Sequence, residues 1–396
     1  MSDKPWLSPS SYSKWVSDAL KLGAAHGGKI VSLFDSSVPE PRALLRETMV
    51  RAIAPELGDK VVTAFGGGNR FVLDALSAKY TVPREQVLCT SGATASLALI
   101  YHTFAAPGDH VLIERPGFDL FADLAVDLGI EWEGFERRAP DFSIDVDAIE
   151  AMIRPNTRLI VLSNLHNPSG MAIEHEKLDR LAQIAHRQGV VLVVDEVYAD
   201  YASEAQRPVP AFRLSPAVVS ISSLTKIFGL GNLRCGWLIA DRAIVDAVRE
   251  VSMRIDFGVS SLSHAVAAYV FEEYDRYEEY SHAIVGEARP IFEEWFERLV
   301  DEGLIEGRLP DAGCIAFPRI PAIADTEVFS RWLLERSGVL VAPGGHFGAP
   351  QNIRIGFAHK PGVLRQGLAA LEEGIRIFAS QASGGKIIPA PALSRE

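Results

Sequence analysis

Val218–Ser222, a short run of strand-forming residues, is followed by Ser223-Leu224-Thr225-Lys226, then Ile227-Phe228-Gly229-Leu230-Gly231 and Arg234. Lysines ordinarily stay solvated. One held between a buried strand and a glycine-rich loop loses hydration, which lowers its pKa and makes the amine a nucleophile toward carbonyl compounds. Ser223 and Arg234 add a hydroxyl and a guanidinium, both suited to a phosphate. Asp195-Glu196-Val197-Tyr198 follows the apolar run Val190–Val194. A carboxylate there is partly buried and needs a partner. Asp195 either caps the next turn or stabilises a buried ligand cation. Asn164-Leu165-His166-Asn167-Pro168-Ser169-Gly170 follows Leu159–Ser163 and reads either as a polar turn or as a cluster of hydrogen-bonding groups at a strand end. Ser91-Gly92-Ala93-Thr94 follows Val87–Thr90 and opens a helix. Small residues there let free backbone N–H groups approach an anion, although an ordinary βα turn has the same composition.

The elements that must position these groups alternate. Strands are expected at Val87–Thr90, Val111–Ile113, Leu159–Ser163, Val190–Val194, Val218–Ser222 and Gly236–Ala240, with helices at Ala93–Ala105, Phe118–Leu128 and Glu176–Arg187. This rhythm predicts an α/β fold with a mostly parallel sheet, whose ligands bind beyond the carboxyl ends of the strands. After about Ser281 the texture changes to a charged helical stretch, Glu272–Val300, then short strands at Cys314–Pro318, Val339–Ala342 and Ile353–Phe357 and a helix near Gly362–Ala379. The expected organisation is an N-terminal segment, 1–42, packing with a small domain; a large domain, 43–281; a small α+β domain, 282–381; and a flexible tail, 382–396.

The 396 residues carry 39 basic and 51 acidic side chains, a formal charge of −12, which argues against a nucleic-acid partner. Hydrophobic residues are 48% and charged residues 23%, which excludes wholesale disorder. Cys89, Cys235 and Cys314 have no metal spacing, so no metal site and no disulfide framework are expected. The N-terminus lacks an apolar signal core, and no run of about 18 apolar residues occurs. A cytoplasmic protein without a membrane partner is expected.

In their order along the chain, the motifs Ser91-Gly92-Ala93, Pro116-Gly117-Phe118, Asn167-Pro168-Ser169-Gly170, Asp195-x-x-Tyr198, Ser223-x-x-Lys226 with Arg234, and Arg354 in Asn352-Ile353-Arg354-Ile355-Gly356-Phe357 resemble the fold-type I pyridoxal-phosphate (PLP) enzymes of aminotransferase class I/II. The resemblance spans roughly residues 30–380. It implies the PLP-dependent transferase fold and a PLP-dependent aminotransferase that moves an amino group between an L-amino acid and a 2-oxo acid. It implies that Lys226 forms a Schiff base with PLP and moves the proton. It implies that Asp195 pairs with the pyridine nitrogen, that Tyr198 and Asn167 bond the ring's phenolate oxygen, and that Phe118 stacks on the ring. Gly92, Ala93, Ser223 and Arg234 would hold the phosphate, with Thr225 within reach. Arg354 would clamp the substrate carboxylate, with Asn167 and Ser37 also on the substrate side. A homodimer is implied, with active sites at the subunit interface.

The chain departs from that pattern twice. Thr63, with Phe65 nearby, stands where relatives carry a tyrosine that reaches the partner subunit's phosphate. Ser36-Ser37-Val38-Pro39 puts serine in place of glycine in the Gly-x-Pro of the N-terminal substrate segment. These changes keep open an unusual substrate, or a PLP-dependent lyase, cyclase or oxidase on a modified amino acid; Gly338–Gly348, with the Arg354 segment, resembles both capreomycidine-synthase-like enzymes and ordinary aminotransferases and does not decide between them. A nicotinamide dehydrogenase would need Gly-x-Gly-x-x-Gly after a first strand, which neither Gly66-Gly67-Gly68 nor Gly229-x-Gly231 supplies. A non-catalytic binding protein would not need Lys226. Arg70 is a candidate for recognising an acidic substrate side chain.

Overall fold

A computed structural model describes residues 12–25, 30–54 and 58–382. The tail expected over 382–396 lies outside the described residues from 383 onward. The central sheet has eight strands. In spatial order they are Val87–Thr90, Gly236–Ile239, Val218–Ser223, Val191–Asp195, Thr157–Ser163, His110–Arg115, Glu131–Arg138 and Ser143–Ile144. The run from Val218–Ser223 to Glu131–Arg138 is parallel throughout. The strand expected at Gly236–Ala240 is present as Gly236–Ile239, but it lies antiparallel to both neighbours. Hydrophobic pattern specifies burial and not strand direction, so the sequence carried no sign of this reversal.

Side chains alternate across the sheet, and two apolar layers result. Val193, Val219 and Ile221 face the helices Ala93–Phe104, Leu120–Asp127 and Arg242–Ile255. Leu192, Val194 and Val218 face Val146–Met152 and His175–Gln188. Cover on both faces is what turns these strands into near-continuous apolar runs. His175–Gln188 shows the matching helical pattern. Leu178, Leu181, Ala182, Ile184 and Ala185 are buried, and Gly189 ends the helix in the left-handed conformation at φ 68°.

A second body follows. Ile315–Ala316 and Ala342–Pro343 flank Ile353–Gly356 in a three-stranded antiparallel sheet, and Val31–Ser32 pairs with Val339–Leu340. The helix Tyr274–Asp301 runs unbroken across the expected division at 281/282. Its Tyr277 belongs to the core of the large sheet's outer face, whereas Ala288, Phe292, Trp295, Phe296 and Leu299 belong to the core that holds Leu33 and Ile353. One helix therefore serves both cores. No described helix is long and apolar enough to cross a membrane.

Candidate active site

Neighbouring parallel strands end side by side at Ser163, Asp195 and Ser223. The chain then leaves the sheet and carries Asn167, Tyr198 and Lys226 over the same edge. The reversed strand enters there: Gly236 pairs with both Ser223 and Thr90, which brings Arg234 to the edge as well. A Cβ on Gly236 would collide with the Gly92 backbone, so this crossing of loop over strand needs glycine. Gly92 itself has φ 90°, and a Cβ there would meet the Arg234 guanidinium at 2.5 Å. Arg234 donates to the Ser91 carbonyl at 3.1 Å. Small residues, the N-terminus of Ala93–Phe104 and a guanidinium thus form one anion cradle.

These groups surround a cavity of about 320 Å³. Ala93, Phe118, Asn167, Asp195, Tyr198, Ser223, Thr225, Lys226, Arg234, Arg354 and Ser37 all line it, and Gly92 lies just behind, against Arg234. Thr63, Phe65 and Arg70 are not among the lining residues. Arg70 instead stacks its guanidinium on Phe71.

The loop after Ser223 is pinned before it presents Lys226. Tyr201 donates to the Lys226 carbonyl at 2.7 Å, and the Leu224 amide donates to Cys235 at 3.0 Å. Lys226 Nζ donates to Ser36 Oγ at 3.0 Å and lies 5.7 Å from the centre of the Tyr198 ring. Burial, reinforced by the Arg354 charge, pushes the lysine pKa down.

Asp195 accepts from the Val197 amide at 3.1 Å. Burial raises its pKa to about 6, partly opposed by that bond and by Lys226. The next side chain, Glu196, accepts from the Ala211 amide instead and does not line the cavity. Tyr198 is buried, and its hydroxyl has no hydrogen-bond partner.

Arg354 is 1% exposed although it is a guanidinium. It donates to Asn167 Oδ1 at 2.9 Å, to the Tyr12 hydroxyl at 2.6 Å and to the Phe34 carbonyl at 3.0 Å, while its Nε has no partner. Asn167 is held from behind, its amide donating to Ser163 Oγ at 2.9 Å. Ser163 bonds Glu114, and Glu114 pairs with Arg137 at 2.7 Å in a fully buried ion pair. His166 completes this layer between the Pro116 carbonyl (2.9 Å) and Ser169 Oγ (2.7 Å). Burial holds His166 neutral, so Nε2–H donates to Pro116 and Nδ1 accepts from Ser169.

Sequence reasoning missed Tyr12 and Ser36. Tyr12 opens the helix Tyr12–Ala25 and reaches the cavity from the far end of the chain, with no local motif to mark it. Ser36 lies in the serine-for-glycine segment, where only its neighbour Ser37 takes the place of the motif glycine.

The chain matches known proteins over most of its length. The sequence profile described as "Aminotransferase class I and II" matches residues 64–371. Capreomycidine synthase of Streptomyces vinaceus is 30% identical over 297 residues, 74% of this chain and 75% of that protein. Aspartate aminotransferase of Sulfurisphaera tokodaii is 27% identical, over 76% of this chain and 78% of that protein. Among solved structures, a PLP-dependent aminotransferase from Streptococcus suis superposes with a TM-score of 0.80 at 26% identity, covering 91% of this chain and 97% of that one. A Thermus thermophilus aspartate aminotransferase variant gives 0.82 at 21% identity, covering 94% of this chain and 100% of that one. The matched family and the aspartate aminotransferase relative do not favour the lyase, cyclase or oxidase alternative.

The cavity's chemistry fits PLP. Asp195 is a buried carboxylate suited to a ring cation, the Tyr198 hydroxyl is unpartnered, and the glycine cradle beside Arg234 would be blocked by a Cβ. The chain belongs to the aminotransferase class I and II family, enzymes that transfer amino groups between amino acids and keto acids with pyridoxal phosphate.

Proposed function

We propose that this cavity moves an amino group between an L-amino acid and a 2-oxo acid, with Lys226 as the covalent anchor of PLP and the proton carrier. The carrying observation is that one cavity is lined by a half-buried amine with a depressed pKa, a buried carboxylate and a buried guanidinium: Lys226, Asp195 and Arg354. PLP, when bound, supplies an electron sink that lets the substrate's Cα proton leave. Asp195 balances the charge of the ring nitrogen. Tyr198 and Asn167 hold the ring oxygen, and Phe118 covers the ring face. Gly92, Ala93, Ser223, Thr225 and Arg234 bind the phosphate. Arg354 orients the substrate carboxylate in a bidentate pair, with Ser37 on the same side. Lys226 Nζ takes and returns the proton.

The same reading assigns the large cofactor domain to 43–281 and the small domain to 282–381 together with the N-terminal segment. A homodimer is supported by exposed apolar side chains: Phe65 and Phe257 have ring centres 5.0 Å apart, and Val61 and Ile255 are also exposed. A cytoplasmic location is part of the same reading, consistent with a net charge of −12.

A half-reaction screen tests the function. Each amino acid is added to the PLP-loaded protein without an acceptor, and 2-oxo acid is measured by mass spectrometry. Stoichiometric 2-oxo acid from some L-amino acid is expected. None from any amino acid, with cofactor bound, would overturn the reading.

A further inference from the structure

The serine-for-glycine segment has a consequence beyond its place in the substrate wall. Ser36 is buried, and its Oγ accepts a hydrogen bond from Lys226 Nζ across 190 residues of sequence, at 3.0 Å. We propose that Ser36 is a positioning residue: its hydroxyl accepts a hydrogen bond from the Lys226 amine and aims it whenever that amine is not bound to cofactor.

The surroundings of the amine explain why such an acceptor matters. Arg354 faces Lys226 with like charge, while Tyr12, Cys314 and Asp195 act in the opposite direction, and the Tyr198 ring lies beneath. Burial and Arg354 both oppose the ammonium form. A hydroxyl oxygen in contact with Nζ offsets part of that cost. No proton is gained or lost by Ser36. It accepts from Nζ before and after the amine carries the substrate proton, so the amine stays in one place through the transfer. The contact itself does not depend on the proposed function. Only its effect on turnover rests on the function proposed above.

The test uses the cofactor-free protein. Trace acetylation of Lys226 is measured across a pH series by mass spectrometry of its peptide, in wild type, Ser36→Ala, Ser36→Gly and Ser36→Thr. Exposed Lys177 serves as the internal reference. Loss of one hydrogen bond to a charged group raises labelling on the acidic limb by about tenfold in Ser36→Ala and Ser36→Gly. Ser36→Thr, which keeps the hydroxyl, restores the wild-type profile. Unchanged Lys226 labelling in Ser36→Ala and Ser36→Gly, with Lys177 labelling equal in all proteins, overturns the inference. PLP uptake by the wild type is followed separately by absorbance. Failure of uptake would sink the proposed function and leave the labelling result standing. Uptake with an unshifted profile would sink only the role of Ser36.

Discussion

Arg354 Nη1 donates to Asn167 Oδ1 at 2.9 Å, between residues 187 apart in sequence. One end of this bond lies on the strand Ile353–Gly356 of the second body, and the other on the loop beyond Thr157–Ser163 of the central sheet. The guanidinium thus spans both parts of the molecule and keeps its Nε free of protein partners.

Arg354→Ala removes a buried cation and its carboxylate-binding fork. kcat/KM for the amino-acid substrate is expected to fall by about 10²-fold or more, the scale for truncating a buried, hydrogen-bonded charge pair. PLP affinity, measured by titration followed in absorbance, stays close to wild type. A variant with unaltered kcat/KM would remove Arg354 from substrate binding.

Gly92→Ala places a Cβ 2.5 Å from the Arg234 guanidinium, at a φ of 90° that side chains rarely adopt. The expected outcome is a loss of PLP affinity of about tenfold or more, since the displaced group is the one assigned to phosphate and backbone strain of this kind costs on the order of 1–3 kcal/mol. Equilibrium dialysis checks it. Equal affinity would show that the cradle does not bind the phosphate.

The pH dependence of the cofactor-free protein should carry the mark of Asp195. Its folded carboxyl keeps a proton up to about pH 6 because burial disfavours the charge. An unfolded aspartate gives its proton up near pH 4. The folded state therefore binds more protons in that window, and stability falls as pH rises through it. Asp195 contributes about 3 kcal/mol to this loss, from the roughly two-unit difference in pKa. Glu196 and Glu114, each raised to about 7, act in the same direction, so the difference between wild type and Asp195→Asn isolates the aspartate. Thermal melts across this range should show Asp195→Asn losing less stability than wild type. Parallel curves would contradict the buried, cation-seeking carboxylate.

Behind the site, Arg137 and Glu114 form a fully buried pair. Arg137→Met leaves Glu114 buried without its cation, and the expected loss is about 3–5 kcal/mol in denaturant unfolding. Pairing it with Glu114→Gln should recover part of that loss. If the single substitution is neutral, this pair is not what holds Ser163 and Asn167 in place.

The legible parts of the fold were the strands covered on both faces, because burial there forces unbroken apolar runs such as Val191–Asp195. Glu131–Arg138 carries no such run. It is a strand held by hydrogen bonds to His110–Arg115, but five of its eight side chains are charged and only Phe135 and Arg137 are buried, so no apolar run marks it. Site residues just beyond strand ends were legible from type and position. Tyr12 and Ser36 were not, because their places follow from how the N-terminal segment folds across the cavity. That closure depends on long-range contacts such as Tyr12 to Arg354, which leave no local spacing to read.

The covalent anchor admits the most direct measurement. The PLP-loaded protein is treated with borohydride, digested and sequenced by mass spectrometry. Lys79 is the natural competitor, being another lysine whose pKa is pushed down by burial. The expected result is one phosphopyridoxyl group on the peptide containing Lys226, absent in Lys226→Ala. A label on Lys79 or another lysine, or no label at all, would contradict the assignment of Lys226.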